Sequence, residues 1–123
     1  MLDAIGHDYI IIIVTLCLIG LDVVSGILKA AYTGTWDSAK MRKGIFHKAA
    51  FVLVMVMAII CQYACVEIPD MNLSLPLVVP TCVYLMATEL LSIFENLSEC
   101  NDKIRYLYDI FRRSIETKSE GTD

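Results

Sequence analysis

Apolar residues in this chain gather in three long runs. The first extends from Tyr9 to about Ala31 and opens with Ile10, Ile11, Ile12, Ile13 and Val14. The second, Ile45 to Val66, holds no charged residue after Lys48. The third covers about 73–96, starting at Leu73. An α-helix rises about 1.5 Å per residue, so roughly 20 apolar residues cross a hydrocarbon layer of ~30 Å. Each run reaches that length and predicts a transmembrane helix. A water-soluble helix would carry a polar stripe at helical spacing, and Ala49 to Ala64 offers only Gln62. The fold class predicted is all-α: three membrane spans (about 9–31, 45–66 and 73–96) in a membrane domain of residues 1–100. A charged amphipathic cytoplasmic tail, residues 101–123, follows it.

Two acids interrupt the runs, Asp22 in the first and Glu89 in the third. A mid-span acid costs about 2.5–3.5 kcal/mol, and each Leu, Ile or Val returns about 0.3–0.6 kcal/mol. The first run has thirteen Leu, Ile and Val residues, so insertion prevails there. The third run also contains Pro76 and Pro80. Proline lacks the N–H that a helix interior needs, which predicts Pro76 near the helix start and a kink near Pro80.

Composition sharpens this picture. Of 123 residues, 57% are hydrophobic, above the roughly 45–50% of a soluble domain. A net charge of −4 argues against nucleic-acid binding, which wants a basic face. The five cysteines form no CxxC pair and no metal-ligand spacing, and four lie in apolar runs. They read as reduced small hydrophobes. The stretch Met1 to Asp8 carries Asp3 and Asp8 but no Lys or Arg, unlike the basic start of a signal peptide, so the first run is expected to stay in the mature protein.

All ten Lys and Arg residues fall either between Lys29 and Lys48 or between Lys103 and Lys118. Basic residues mark the cytoplasmic side of a span. Lys40, Arg42 and Lys43 around the first loop, with Arg112 and Arg113 in the tail, therefore set the orientation. It is N-terminus outside, first loop inside, second loop outside and C-terminus inside. Tyr9, Tyr32 and Trp36 suit the interfacial aromatic belts.

The polar residues within the runs are the candidates for function. Asp22, Ser25, Gly26 and Lys29 share one face of the first helix, and Glu89, Ser92 and Asn96 share one of the third, with Glu95 beside them. Lys48 sits one turn inside the second span. Ionisable groups at membrane depth pair with one another or face water. One reading is an ion-pair network joining Asp22 or Glu89 to Lys48. The other is that these faces line a water-filled lesion in an oligomer. A proton relay is a weaker third, since His47 lies at the boundary. Gly20 and Gly26 permit close helix packing, although no GxxxG motif is present. In the tail, Ile104, Leu107, Tyr108, Phe111 and Ile115 recur at helical spacing among Lys103, Arg105, Arg112 and Arg113. Such a helix lies on the inner leaflet, packs on its own copy or extends the third span. Lys118 to Asp123 read as disordered.

Three segments together resemble a known family. Leu21-Asp22-Val23-Val24-Ser25-Gly26-Ile27-Leu28-Lys29-Ala30 is similar to the first-span signature of the toxin-secretion and phage-lysis holins. Ser38, Arg42, Gly44 and Lys48 resemble that family's basic first loop. Glu89-Leu90-Leu91-Ser92-Ile93-Phe94-Glu95-Asn96 resembles its third-span ending. After Asn96 the chain departs from the pattern, since Leu97 to Asn101 lacks the glycine and proline often found there. The resemblance implies a non-enzymatic protein of the bacterial cytoplasmic membrane that forms homo-oligomers in the lipid bilayer. Their lesions would let an endolysin or a large toxin cross, without direct binding to it. A small transporter or accessory subunit coupling ions through the intramembrane acids is the alternative. No nucleophile–base pair, cofactor site or metal cluster supports an enzyme.

Overall fold

A computed structural model describes residues 8–120 as four α-helices and one short 3₁₀ turn, with no strand among them. The expectations for Met1 to His7 and for residues 121–123 lie outside the described residues. Helix α1 covers Asp8–Thr33, α2 Ser38–Glu67, α3 Val78–Ser98 and α4 Asp102–Glu120, and the 3₁₀ turn is Pro69–Met71. Helices α1, α2 and α3 are long and apolar enough to cross a membrane, as the hydrophobic runs require.

Local chemistry sets the boundaries. Gly34 adopts a positive φ of 69° just after α1, a left-handed conformation that glycine takes without a Cβ clash. Asp37 then caps α2, its Oδ1 accepting from the N–H groups of Ala39 at 3.0 Å and Lys40 at 3.3 Å. The cap starts the helix seven residues before the apolar run. Lys40, Arg42 and Lys43, expected around a loop, therefore stand in the first turns of α2, and only residues 34–37 connect the two helices.

The third helix begins later than its run. Proline disfavours helical backbone in the residue before it, and residues 72–77, which include Pro76, are not helical. Pro80 falls in the first turn of α3, where N–H groups have no intrahelical acceptor in any case. The kink expected at Pro80 is thus replaced by a helix start. Beyond α3, a turn at Glu99 and Cys100 breaks the helix, so the tail is not an extension of the third span. Helix α4 sets its half-buried stripe, Ile104, Tyr108, Phe111 and Ile115, toward α3. The Phe94 and Phe111 rings lie 5.3 Å apart. Leu107, assigned to that stripe from sequence, is exposed instead together with Tyr106 and Ile110. The helix also runs on to Glu120, through residues expected to be disordered. Phe111→Ala removes the aromatic contact holding α4, and we expect faster proteolysis after Arg112 and Arg113 with the spans left intact, read by limited trypsin digestion in detergent.

Helices α1 and α3 form the closest pair, whereas α2 touches α3 less and α1 at few points. The interior seam is mostly polar on α1 (Thr15, Asp22 and Ser25, with Ile19) and mostly apolar on α3 (Val78, Cys82 and Leu85, with Glu89). Small residues let helices approach closely in lipid, where no hydrophobic force drives them together. Gly26 fits this role, since a Cβ there would stand 3.7 Å from Asn96 Nδ2. Gly20 does not, as a Cβ there would meet nothing within 4 Å; it is on the outward face of α1. Large apolar side chains cover the outside, with Leu53 68% and Phe46 70% exposed. Such a surface suits hydrocarbon and not water.

Gln62, alone among apolar residues between Ala49 and Ala64, has a structural task. Gln62 Oε1 accepts from the Val78 backbone N–H at 3.0 Å, and its Nε2 donates to Asp8 Oδ2 at 2.7 Å. One side chain thereby satisfies an orphan N–H of α3 and ties the starts of α1 and α3 to α2. We expect Gln62→Leu to cost about 1–3 kcal/mol, since it leaves both partners unmet, a loss visible as a lower unfolding midpoint in detergent.

Candidate functional site

Toward the opposite end of the bundle lies a cluster of charge. Lys48, one of the few polar residues that α2 turns inward, reaches between α1 and α3. Its Nζ donates to Asp22 Oδ2 and, at 2.6 Å, to Glu89 Oε2. Asp22 is 4% exposed and Glu89 0%, so both carboxylates are inside the protein. The second oxygen of Asp22 accepts from Ser92 Oγ at 2.7 Å and from Asn96 Nδ2 at 3.0 Å. Asn96 Nδ2 also donates to Ser25 Oγ at 3.0 Å, and Ser25 Oγ donates to the Asp22 carbonyl at 2.9 Å. Helical spacing explains the convergence, because Glu89, Ser92 and Asn96 lie three and four residues apart on one face of α3.

The electrostatics are unbalanced. Two carboxylates share one ammonium, and Glu89 Oε1 is buried with no hydrogen-bond partner among the described residues. In a medium of low dielectric, unscreened charges interact far more strongly than in water, so the cluster holds together only while Lys48 stays in place. The chain chose both acids as partners of Lys48, where the sequence left open which one.

Not every candidate joins the cluster. Lys29 has no ion-pair or hydrogen-bond partner for its ammonium among the described residues. Glu95 is exposed, and its backbone carbonyl accepts from Ser98 Oγ at 2.7 Å and from the Glu99 N–H at 3.3 Å, while its carboxylate stays outside the cluster. Lys40, Arg42, Lys43, Arg112 and Arg113 all lie outside it; Arg112 instead pairs with Glu116 at 3.1 Å on the surface of α4, which raises its pKa. His47 packs its ring against Phe51 in a tilted arrangement, centroids 4.7 Å apart and planes at 56°, rather than entering the cluster. Beside Asp22 and Lys48 a cleft of about 380 Å³ opens between α1 and α2.

Sequence reasoning missed the structural roles of Gln62 and Asp8. The isolation of Gln62 in the otherwise apolar stretch Ala49 to Ala64 was the signal, because a lone amide at membrane depth needs partners. Its partners come from 16 and 54 residues away, and no local pattern names them.

Three apolar helices closed around buried charge define a small multi-pass membrane protein. The chain belongs to the bacteriophage holin family, whose family model matches residues 3–113. No curated protein and no solved structure matches it. The family is one of non-enzymatic membrane proteins, phage lysis follows from membership, and the protein is accordingly a multi-pass protein of the cytoplasmic membrane.

Proposed function

We propose that the chain is a lesion-forming holin whose single-copy form conceals the polar faces that later line the opening. Residues 1–100 are the membrane unit and residues 101–123 the cytoplasmic tail, with the N-terminus outside and the C-terminus inside. In the bilayer the chain oligomerises, and the lesion lets an endolysin, or a large toxin, cross without binding it directly. The observation that carries this reading is the buried cluster of Asp22, Lys48 and Glu89, where α2, the most loosely packed of the three spans, meets the close pair α1 and α3. Polar groups at membrane depth are satisfied either within one molecule or by water and neighbouring copies. Separation of α2 from α1 and α3 converts the first arrangement into the second. Asp22, Ser25, Ser92 and Asn96 then face the water-filled opening, and Lys29, Lys48, Glu89 and Glu95 supply its charge. A packing exchange of this kind is a two-state equilibrium that crowding of copies in the membrane can shift.

Timed expression in a bacterium tests this. The expected result is undisturbed growth, then abrupt loss of membrane potential, with lysis when a muralytic enzyme is co-expressed. Indifferent growth at high membrane levels of the chain would overturn the proposal.

A further inference from the structure

The cleft between α1 and α2 opens directly beside the buried cluster, which forms only its inner end. Its walls are apolar, with Val23 and Ile27 on α1 facing Met41 and Ile45 on α2, and its floor reaches Asp22 and Lys48. Its volume of about 380 Å³ is within the roughly 300–1,000 Å³ range of small-molecule sites. A space this size between two spans is not left empty by the surrounding membrane.

The mouth of the cleft carries Lys29 and Lys40. Neither ammonium has an ion-pair or hydrogen-bond partner among the described residues. Asp37, also at the mouth, already accepts two N–H groups at the start of α2. Lys29 lies seven residues beyond Asp22 on α1, and Lys40 eight residues before Lys48 on α2. At helical rise both spacings amount to about 10–12 Å toward the same face of the membrane. The cations therefore stand at headgroup depth, Met41 and Ile27 just inside them, and Val23 and Ile45 about 8–9 Å deeper, at the depth of acyl chains.

We propose that this cleft binds an anionic glycerophospholipid. Its phosphate is held between Lys29 and Lys40, and one acyl chain lies between Val23 and Ile27 on one side and Met41 and Ile45 on the other. Unpaired basic groups between spans at a membrane surface are suited to anionic headgroups. The lipid fills the gap where α2 stands away from α1, so it props α2 beside the charged cluster. The site needs only a membrane-embedded chain, and it falls on the inner leaflet if the orientation proposed above holds.

Native mass spectrometry of the full chain in detergent tests the proposal, with phosphatidylglycerol and phosphatidylcholine of the same acyl chains as probes. We expect phosphatidylglycerol to be retained preferentially. A lysine near an anionic headgroup contributes about a fivefold preference, so the K29Q/K40Q variant is expected to lose about 25-fold and K29R/K40R to keep it. Gly44 lines the cleft, and a Cβ there would meet nothing within 4 Å. Gly44→Leu should therefore block both lipids while circular dichroism stays unchanged. R112Q/R113Q, which alters only the tail, should retain the preference.

Equal binding of the two lipids would overturn the proposal, as would an undiminished preference in K29Q/K40Q or its loss in R112Q/R113Q. Displacement of phosphatidylglycerol by millimolar inorganic phosphate would overturn it too, by revealing a bare anion site. These readouts are made without lysis, so their failure leaves the lesion-forming reading standing, and the converse also holds.

Discussion

Lys48→Met is expected to be the most destructive single change in the protein. It leaves the carboxylates of Asp22 and Glu89 together in the interior, the second of them 0% exposed, with no cation between them. Removing one partner of a buried ion pair costs about 3–5 kcal/mol, because the remaining charge stays buried and unmatched. Here two charges are left. The variant should accumulate poorly in membranes and melt far below the parent in detergent, as immunoblotting and thermal unfolding would show. The triple variant Lys48→Met, Asp22→Asn, Glu89→Gln removes every charge at once and should recover most of the loss. If Lys48→Met alone melts with the parent, Lys48 does not hold the bundle together.

Glu89→Gln should act in the opposite direction. The substitution leaves one carboxylate, Asp22, opposite one ammonium, Lys48, and removes the surplus negative charge. Asp22 keeps its bonds from Ser92 and Asn96, so the closed arrangement gains. A gain of about 1.4 kcal/mol would lower the population of opened molecules about tenfold. Lysis timed from induction should therefore be delayed at equal membrane levels, with the unfolding midpoint unchanged or raised. Unaltered timing would remove Glu89 from the opening step, and earlier lysis would reverse the assigned sign.

The three long helices were legible because insertion into lipid depends on length and summed hydrophobicity, both carried by the runs themselves. Helix ends were harder to read. Asp37 starts α2 in a polar stretch that hydropathy alone treats as loop, and Pro76 withholds the helix from an apolar stretch that hydropathy assigns to it. The polar faces on α1 and α3 followed from residue spacing within each helix. Which groups meet did not, because Lys48 reaches 26 and 41 residues along the chain to its partners. Gly20 illustrates the same limit, since a small residue is readable in sequence but the helix face that it occupies depends on how the helices cross. The cleft beside Lys48 is likewise a product of that crossing.

The unequal connectors on either side of α2 restrict how it can move. Residues 34–37 reach at most about 14 Å when fully extended, so the start of α2 stays leashed to α1. On the other side, residues 72–77 alone reach about 20 Å, beyond the 3₁₀ turn. Any departure of α2 is therefore a swing about the Gly34 corner, with the Gln62 end travelling furthest. A disulfide engineered across that corner would leave the swing free, whereas one joining the far ends of α2 and α3 would lock the molecule shut.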